Sequence, residues 1–294
     1  MSTDQSITRE LSFSEVITKT FELYRNRFAT YFIFFLAIEA VFAAVTAAIR
    51  QAASLPSLPS SPTAQQVSGW LSTNLGALAA ATATVLVVAL VVFPIAYGTT
   101  IRMASDEIQN KKPETGASIR FAASKLVSMW ALGIIVGILL VLGLVALVVP
   151  GVILAIMFCL VFPALLLENA GIIRSMSRSR ELVGHRWLKT FVTGLVLFII
   201  IVIISAVLGA VSALFGPASS FASTILGAFT APIIPIAMTV YYYSNLARFA
   251  PPPSGAAPST QPIAPPGMKF CPNCGTQLAA AATFCSRCGA KQPA

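Results

Sequence analysis

"LVSMWALGIIVGILLVLGLVALVVPGVILAIMFCLVFPALLL" runs from residue 126 to residue 167 without one Asp, Glu, Lys or Arg. A helix crosses the ~30 Å hydrocarbon core of a bilayer with about 20 apolar residues, so this run holds two crossings, with Pro150 and Gly151 supplying a tight turn between them. Gln51 to Ile101 and Thr190 to Ala247 are equally free of charge and equally long enough for two helices. The 294 residues are 56% hydrophobic and 10% charged, against roughly 25% charged in ordinary soluble domains. The fold class that follows is an all-α polytopic membrane protein. Six transmembrane helices are expected near residues 28–50, 77–101, 127–149, 152–167, 190–214 and 223–247, the fourth being the shortest. The first span starts late and behind Asp4, Glu10, Glu15 and Glu22, which is long and acidic for a signal peptide, so the segment is expected to stay uncleaved.

The net charge of +9 is not one patch. Eighteen of the nineteen Lys and Arg residues fall before span one, between spans two and three, between spans four and five, or after span six; Arg50 alone falls on the other side. The positive-inside rule places both termini in the cytoplasm of a multi-pass protein of the cell membrane.

Pro94, Pro163 and Pro232 recur every 69 residues, in "VVFPIAYG", "LVFPALLL" and "FTAPIIPI", each inside an even-numbered span. Ahead of each odd-numbered span stands a polar stretch with helical patterning: "SFSEVITKTFELYRNRF", "ASIRFAASKLVSMW" and "IIRSMSRSRELVGHRW". The unit is an amphipathic helix followed by a transmembrane hairpin, repeated three times. In the first, Phe13, Val16, Ile17, Phe21, Tyr24 and Phe28 form the apolar face, which lies along the membrane surface or caps the bundle. In the third, Arg174, Arg178 and Arg180 ring Ile173, Met176 and Val183, a pattern that suits anionic headgroups but is first of all ordinary positive-inside placement.

"FELYRNRF", the Pro150–Gly151 turn and "FPALLLENAGIIRSMSRSRELVGHRW" make residues 10 to 247 resemble a broad prokaryotic family of six-span membrane proteins that includes the glycerophosphoryl diester phosphodiesterase membrane domain. The resemblance implies a shared membrane fold and no activity, because the phosphodiesterase proper is a separate catalytic domain in that family.

Near the end of the chain, "FCPNCGTQLAAAATFCSRCG" (270–289) sets Cys271 and Cys274 in one CxxC and Cys285 and Cys288 in another. Each pair offers two thiolates from one tight turn, and Gly275 and Gly289 relieve the backbone behind them. Four sulfurs at ~2.3 Å close a tetrahedral site with no place for a reacting water, so structural Zn²⁺ is favoured over a redox dithiol pair or iron. A reducing cytoplasm keeps such thiols available for metal. "KFCPNCGTQL" and "TFCSRCG" resemble the short zinc ribbons appended to many prokaryotic proteins. The expected domains are a membrane domain over 1–248, a Pro-rich linker over 249–267 that extends as a semi-rigid tether, and a zinc ribbon over 268–294.

Single residues sharpen the functional classes. Glu39 is the only acid within an expected span, which makes it a candidate proton relay or ligand contact; the bland alternative is a protonated carboxyl bonded to a backbone carbonyl or to Thr46. Glu168 reads as an interfacial cap beside Arg174 and Arg178, Cys159 as a small buried hydrophobe, and Tyr241, Tyr242 and Tyr243 as an aromatic belt. His185 is the only histidine, which argues against a His-dependent triad or metal centre. The proline kinks free carbonyls able to line a cavity. The favoured reading is a non-enzymatic scaffold or regulator, embedded in the lipid bilayer, whose ribbon recruits a cytosolic protein. The alternatives are a permease or lipid-handling protein using Glu39 and the kinked even spans, and membrane-tethered nucleic-acid binding. Only Lys269, Arg287 and Lys291 serve the last, beside a zinc-tetrathiolate of net charge −2, which is a weak footprint.

Overall fold

The structure is a computed structural model that describes residues 6–53, 61–184, 186–249, 268–271, 276–286 and 291. It divides into two compact units, Met1–Phe249 and Ala250–Ala294. The Pro-rich stretch 250–267, His185, Cys274 and Cys288 lie outside the described residues.

Six segments of the first unit are long and apolar enough to cross a bilayer. α1 (Phe13–Asn26) leads into α2 (Phe28–Ala53), and α3 (Ala64–Ile108) returns. α4 (Thr115–Ser124) precedes α5 (Leu126–Ala146), whose return is split into α6 (Val148–Met157) and α7 (Val161–Leu167). α8 (Ile172–Val183) precedes α9 (Trp187–Ala213), and the last return is split into α10 (Ser219–Thr230) and α11 (Ile233–Leu246). α3 is longer than the span expected within it, about 67 Å at 1.5 Å per residue, because Thr63 and Gln66 form a capping box ahead of a stretch with no breaker before Pro94.

The three-unit pattern is realised as a closed ring. α1 and α2 pack on the third return (α11 and α10), α4 and α5 on the first return (α3), and α8 and α9 on the second (α7 and α6). The returns α3, α7 and α11 meet one another at the centre. Each repeat therefore lays its amphipathic helix and its outgoing span on the return of the repeat before it.

The turn between the third and fourth spans differs from expectation. It falls at the extended residue Leu147, and Pro150 sits inside the first turn of α6, where a missing N–H costs nothing. What closes the hairpin is Gly143 against Gly151: a Cβ on Gly143 would stand 3.0 Å from the Gly151 Cα, and one on Gly151 would stand 2.9 Å from the Leu144 nitrogen. Small residues here let two backbones touch, as helix pairs in lipid require.

Burial is uneven along the bundle. Val16, Leu23, Tyr31, Ile101, Ala104, Leu160, Ala164, Leu182, Ile236 and Val240 are fully buried, all toward the end that carries the Lys and Arg clusters. Toward the far end only Gly143, Gly151 and Ser212 are buried among the described residues. α1 caps the packed end instead of floating on the surface. Its buried stripe is Val16, Thr20, Leu23 and Tyr24, rotated from the expected face, so that Phe13, Ile17 and Phe21 stay at the rim half-buried.

The second unit is a hairpin of β1 (Met268–Phe270) and β2 (Gln277–Ala279), antiparallel, with Lys269 opposite Leu278. The Cys271 N–H donates to the Thr276 carbonyl at 2.9 Å to close the loop.

Candidate functional site

The ribbon brings two of its four expected ligands into one place. Cys271 and Cys285 are 2% and 3% exposed and pack with Leu278 as the core of the unit, with Ala282 against them. Among the described residues of this unit the core is this cluster, so its centre is built largely from sulfur. Cys271 follows β1 directly, and Cys285 follows Phe284, which bridges to Lys291. Thiol side chains converging on the interior of a two-stranded hairpin suit a thiolate-bound zinc. Among the described residues no three Cys, His, Asp or Glu side chains gather into a metal-binding group; Cys274 and Cys288 stand outside them.

The packed end of the membrane unit is cross-braced by charge. Glu10 receives Lys189 at 2.5 Å and Arg186 at 3.2 Å, with Arg248 at 3.9 Å, so one carboxylate ties the segment ahead of α1 to the start of α9 and the end of the last span. Lys189 also donates to the Leu11 carbonyl, and the Leu11 N–H donates to Ser244. Partial burial of Glu10 works against its charge, but the Lys189 ammonium, with Arg186 and Arg248 behind it, outweighs this and holds the carboxyl below the usual carboxylate range. On the exposed edge, hydrogen bonds from Arg9 and then Ser12 take Glu15 down to about 2.

Glu168 is the cap expected of it and more. It ends α7, accepts from Arg178 Nε at 2.7 Å and from the Tyr242 hydroxyl at 2.8 Å. The three tyrosines are not a lipid belt. Tyr241 and Tyr242 are 3% and 1% exposed, and their hydroxyls reach Thr190 and Glu168, while Tyr243 meets Ser105 at 2.7 Å. Their ring-plus-hydroxyl chemistry suits a core that turns polar at its end as well as it suits an interface, and the packing of α11 at the bundle centre decides which. The basic face of α8 is thinner than expected as well: Val183 is 2% exposed, Arg178 is spent on Glu168 and Glu181, and Ile173 with Arg174 and Arg180 remain outside.

At each kinked span one carbonyl at the break is bonded by a neighbouring helix. Pro94 lacks the N–H that would reach the Leu90 carbonyl, and Trp130 of α5 donates its indole N–H to that carbonyl at 2.6 Å. At the break between α10 and α11 the Tyr24 hydroxyl of α1 donates to the Phe229 carbonyl at 2.9 Å. Between α6 and α7, Ser179 of α8 donates to the Met157 carbonyl at 2.8 Å and accepts from the Leu160 N–H at 3.2 Å. Each break thus takes a side-chain hydrogen bond from the repeat that packs on it. Tyr24 was read only as part of an apolar face, and nothing in the sequence singled out Trp130 or Ser179; the signal was the pairing of three breaks with three polar helices.

Glu39 lies midway along α2, half-buried, with Oε1 3.8 Å from where a Cβ on Gly227 would be. Thr46 gives its hydroxyl proton to the Phe42 carbonyl at 2.8 Å and makes no hydrogen bond to Glu39. Beyond Gly227, between α9 and α10, a cavity of about 140 Å³ is lined in part by Ser205, Ser212, Ser223 and Thr230. Cys159 is partly buried against the central core and behaves as a small apolar residue.

Compared with known protein families, residues 270–292 match the zinc-ribbon domain. No curated protein matches the chain, and no solved structure matches it. The membrane unit is thus a set of apolar helices whose resemblance to the glycerophosphoryl diester phosphodiesterase membrane domain finds no support in these comparisons.

Proposed function

We propose that the protein is a non-enzymatic scaffold or regulator of the cell membrane, whose ribbon holds one structural Zn²⁺ through Cys271, Cys274, Cys285 and Cys288 and recruits a protein partner on the cytoplasmic side. The observation that carries this reading is the division of the chain into two compact units, one of them small and with a sulfur-lined core of its own. A closed tetrathiolate site folds a recognition surface and leaves no position for catalysis. The charges of the membrane unit's packed end support the same reading, because Glu10, Glu168, Asp106 and Glu107 are each engaged by an Arg or Lys of the same chain. Nucleic acid is disfavoured as the partner, since three cations around a doubly negative centre give little counterion release.

The test is crosslinked affinity purification of the full-length protein beside a Cys271→Ser, Cys274→Ser double variant, with zinc and co-purifying proteins quantified. A protein partner that disappears together with the zinc is the expected result. An unchanged set of co-purifying proteins in the zinc-free variant overturns the recruitment reading.

A second reading, a permease, is favoured by Glu39 beside Gly227 and the hydroxyl-lined cavity behind it. It requires Glu39→Gln to abolish a transport phenotype that deletion of residues 249–294 spares. The reverse pattern excludes it.

A further inference from the structure

The three repeats present the same notch three times, where an outgoing span leans on the break in the preceding return. Two notches are filled from within. At the break near Pro232, Phe28 and Phe32 of α2 stack on each other at 5.5 Å and close on Phe229 at 5.6 and 4.5 Å. At the α6–α7 break, Phe191 of α9 packs into the cluster that holds Ile156 and Leu160. The notch at Pro94 is empty: a cleft of about 560 Å³ stands between α3, α5 and α7, with Pro94, Tyr97, Trp130, Gly133 and Phe162 among its walls.

Three features say what fills it. The first is chemistry: the walls are carbon apart from two groups, the Trp130 indole N–H, which is already given to the Leu90 carbonyl, and the Tyr97 hydroxyl, so the cleft is almost wholly apolar. The second is position. Leu90, Phe93 and Ile134 at its rim are 48%, 52% and 62% exposed on membrane-spanning helices, so its mouth opens sideways to hydrocarbon. The third is charge. Arg102 lies five residues beyond Tyr97 on α3 and Lys125 five before Trp130, about 8 Å along each helix, and they put two cations at the level where a headgroup would sit above the cleft. Arg102 stands over the Phe121 ring at 5.2 Å and pairs with Asp106 at 3.4 Å, so a phosphate would share it with that carboxylate, and Lys125 bonds Asn169.

The geometry points to this cleft as a binding site for one acyl chain of an anionic phospholipid from the leaflet at the basic end, the phosphate lying between Arg102 and Lys125. The site is independent of the ribbon and of Glu39. Gly133 sets its depth, since a Cβ there would meet only the Phe162 ring edge at 3.8 Å and a longer side chain would extend into the cleft.

Trp130 is also the reporter. The full-length protein in a non-brominated detergent is titrated with phosphatidylglycerol brominated in mid-chain, and the difference between wild type and Trp130→Phe isolates the indole from Trp70 and Trp187. The expected result is quenching of Trp130 that saturates at low lipid content, is lost in Gly133→Leu, and persists in Gly137→Leu, where nothing lies within 4 Å of the added Cβ. Quenching that climbs in proportion to lipid content without a plateau, as contact with bulk lipid would give, overturns the proposal. So does an unchanged plateau in Gly133→Leu. If Gly133→Leu fails to fold, the presence or absence of the wild-type plateau still decides, and Gly133→Ala, whose methyl fits in ordinary contact, must weaken it.

Discussion

Replacing Trp130 by Phe keeps a ring at the Pro94 kink and removes the indole N–H that closes the 2.6 Å bond to the Leu90 carbonyl. An unpaired carbonyl in an apolar setting costs roughly 1–3 kcal/mol, while measured side-chain hydrogen bonds between membrane helices average about 0.6 kcal/mol and reach about 1.7. The Leu90 carbonyl has no helical N–H to fall back on, so the hydrogen-bond loss belongs near the upper end, about 1.5 kcal/mol, with about 1 kcal/mol more for the smaller ring. Pro94→Ala supplies the missing test. With Ala at 94 its own N–H can reach Leu90, the indole becomes redundant, and only the packing loss remains. A double-mutant cycle on the purified protein, unfolded reversibly in mixed micelles of rising SDS content and followed by circular dichroism, should therefore show a coupling of about 1–1.5 kcal/mol. Costs of Trp130→Phe that agree to within about 0.3 kcal/mol in the two backgrounds would refute the reasoning.

The same unfolding assay reaches three further points. Ser179→Ala strips both the Met157 carbonyl and the Leu160 N–H of their bridge at a fully buried site, and should cost about 2–3 kcal/mol; a loss under about 0.5 would mean the break closes on itself. Gly151→Ala drives a methyl into Leu144, whose side chain stands 2.4 Å and whose backbone nitrogen stands 2.9 Å from it. Backbone cannot yield as a side-chain tip does, so a cost of about 2 kcal/mol or more is expected, and a neutral result would place the α5–α6 contact elsewhere. Glu10→Gln should cost about 1 kcal/mol at pH 7, the brace being partly exposed. Because the folded-state carboxyl lies below its ordinary 4.5, its contribution is complete above that value and fades as the pH falls through the lowered folded pKa. The gap between wild type and Glu10→Gln must close in acid; a gap that widens there would reverse the assignment.

The fold was largely legible because each of its signals is a length or a period. Apolar runs, charge-free for all but the first span with its Glu39, fixed six crossings to within a few residues at most ends, and the recurrence of Pro94, Pro163 and Pro232 announced a repeat that the contacts of α1, α4 and α8 turn into a ring. Misreadings came where one residue type serves two environments. Tyr241, Tyr242 and Tyr243 carry the pattern of an interfacial belt, yet α11 lies at the centre of the bundle, so two of the three face inward and take up Thr190 and Glu168. Pro150 looked like the turn itself; the turn is made by Leu147 and held by the Gly143–Gly151 contact, a pairing across the hairpin that no local pattern announces. The ribbon was legible because CxxC spacing is chemistry written directly in sequence, with Cys271 and Cys285 at its core.

The uneven packing of the bundle follows from its solvent. In water a helix bundle with Ile33, Val41, Leu75, Leu86, Ile138 and Val207 exposed would collapse until those side chains met, but lipid tails are as apolar as leucine and supply no such drive. Only polar groups, small-residue contacts and shape hold helices together there. In this chain those devices are concentrated at the basic end, where carboxylates, tyrosine hydroxyls and Ser179 join one repeat to the next, and they thin out to Gly143 and Gly151 beyond the kinks. The far half of each hairpin is thus free to be wetted by acyl chains, and the Pro94 cleft lies at the boundary, where the bundle stops being packed by protein and must be packed by lipid. A side chain that filled it, as Phe28, Phe32 and Phe229 fill its counterpart, would make the three repeats alike; Gly133, which leaves it open, makes one of them different.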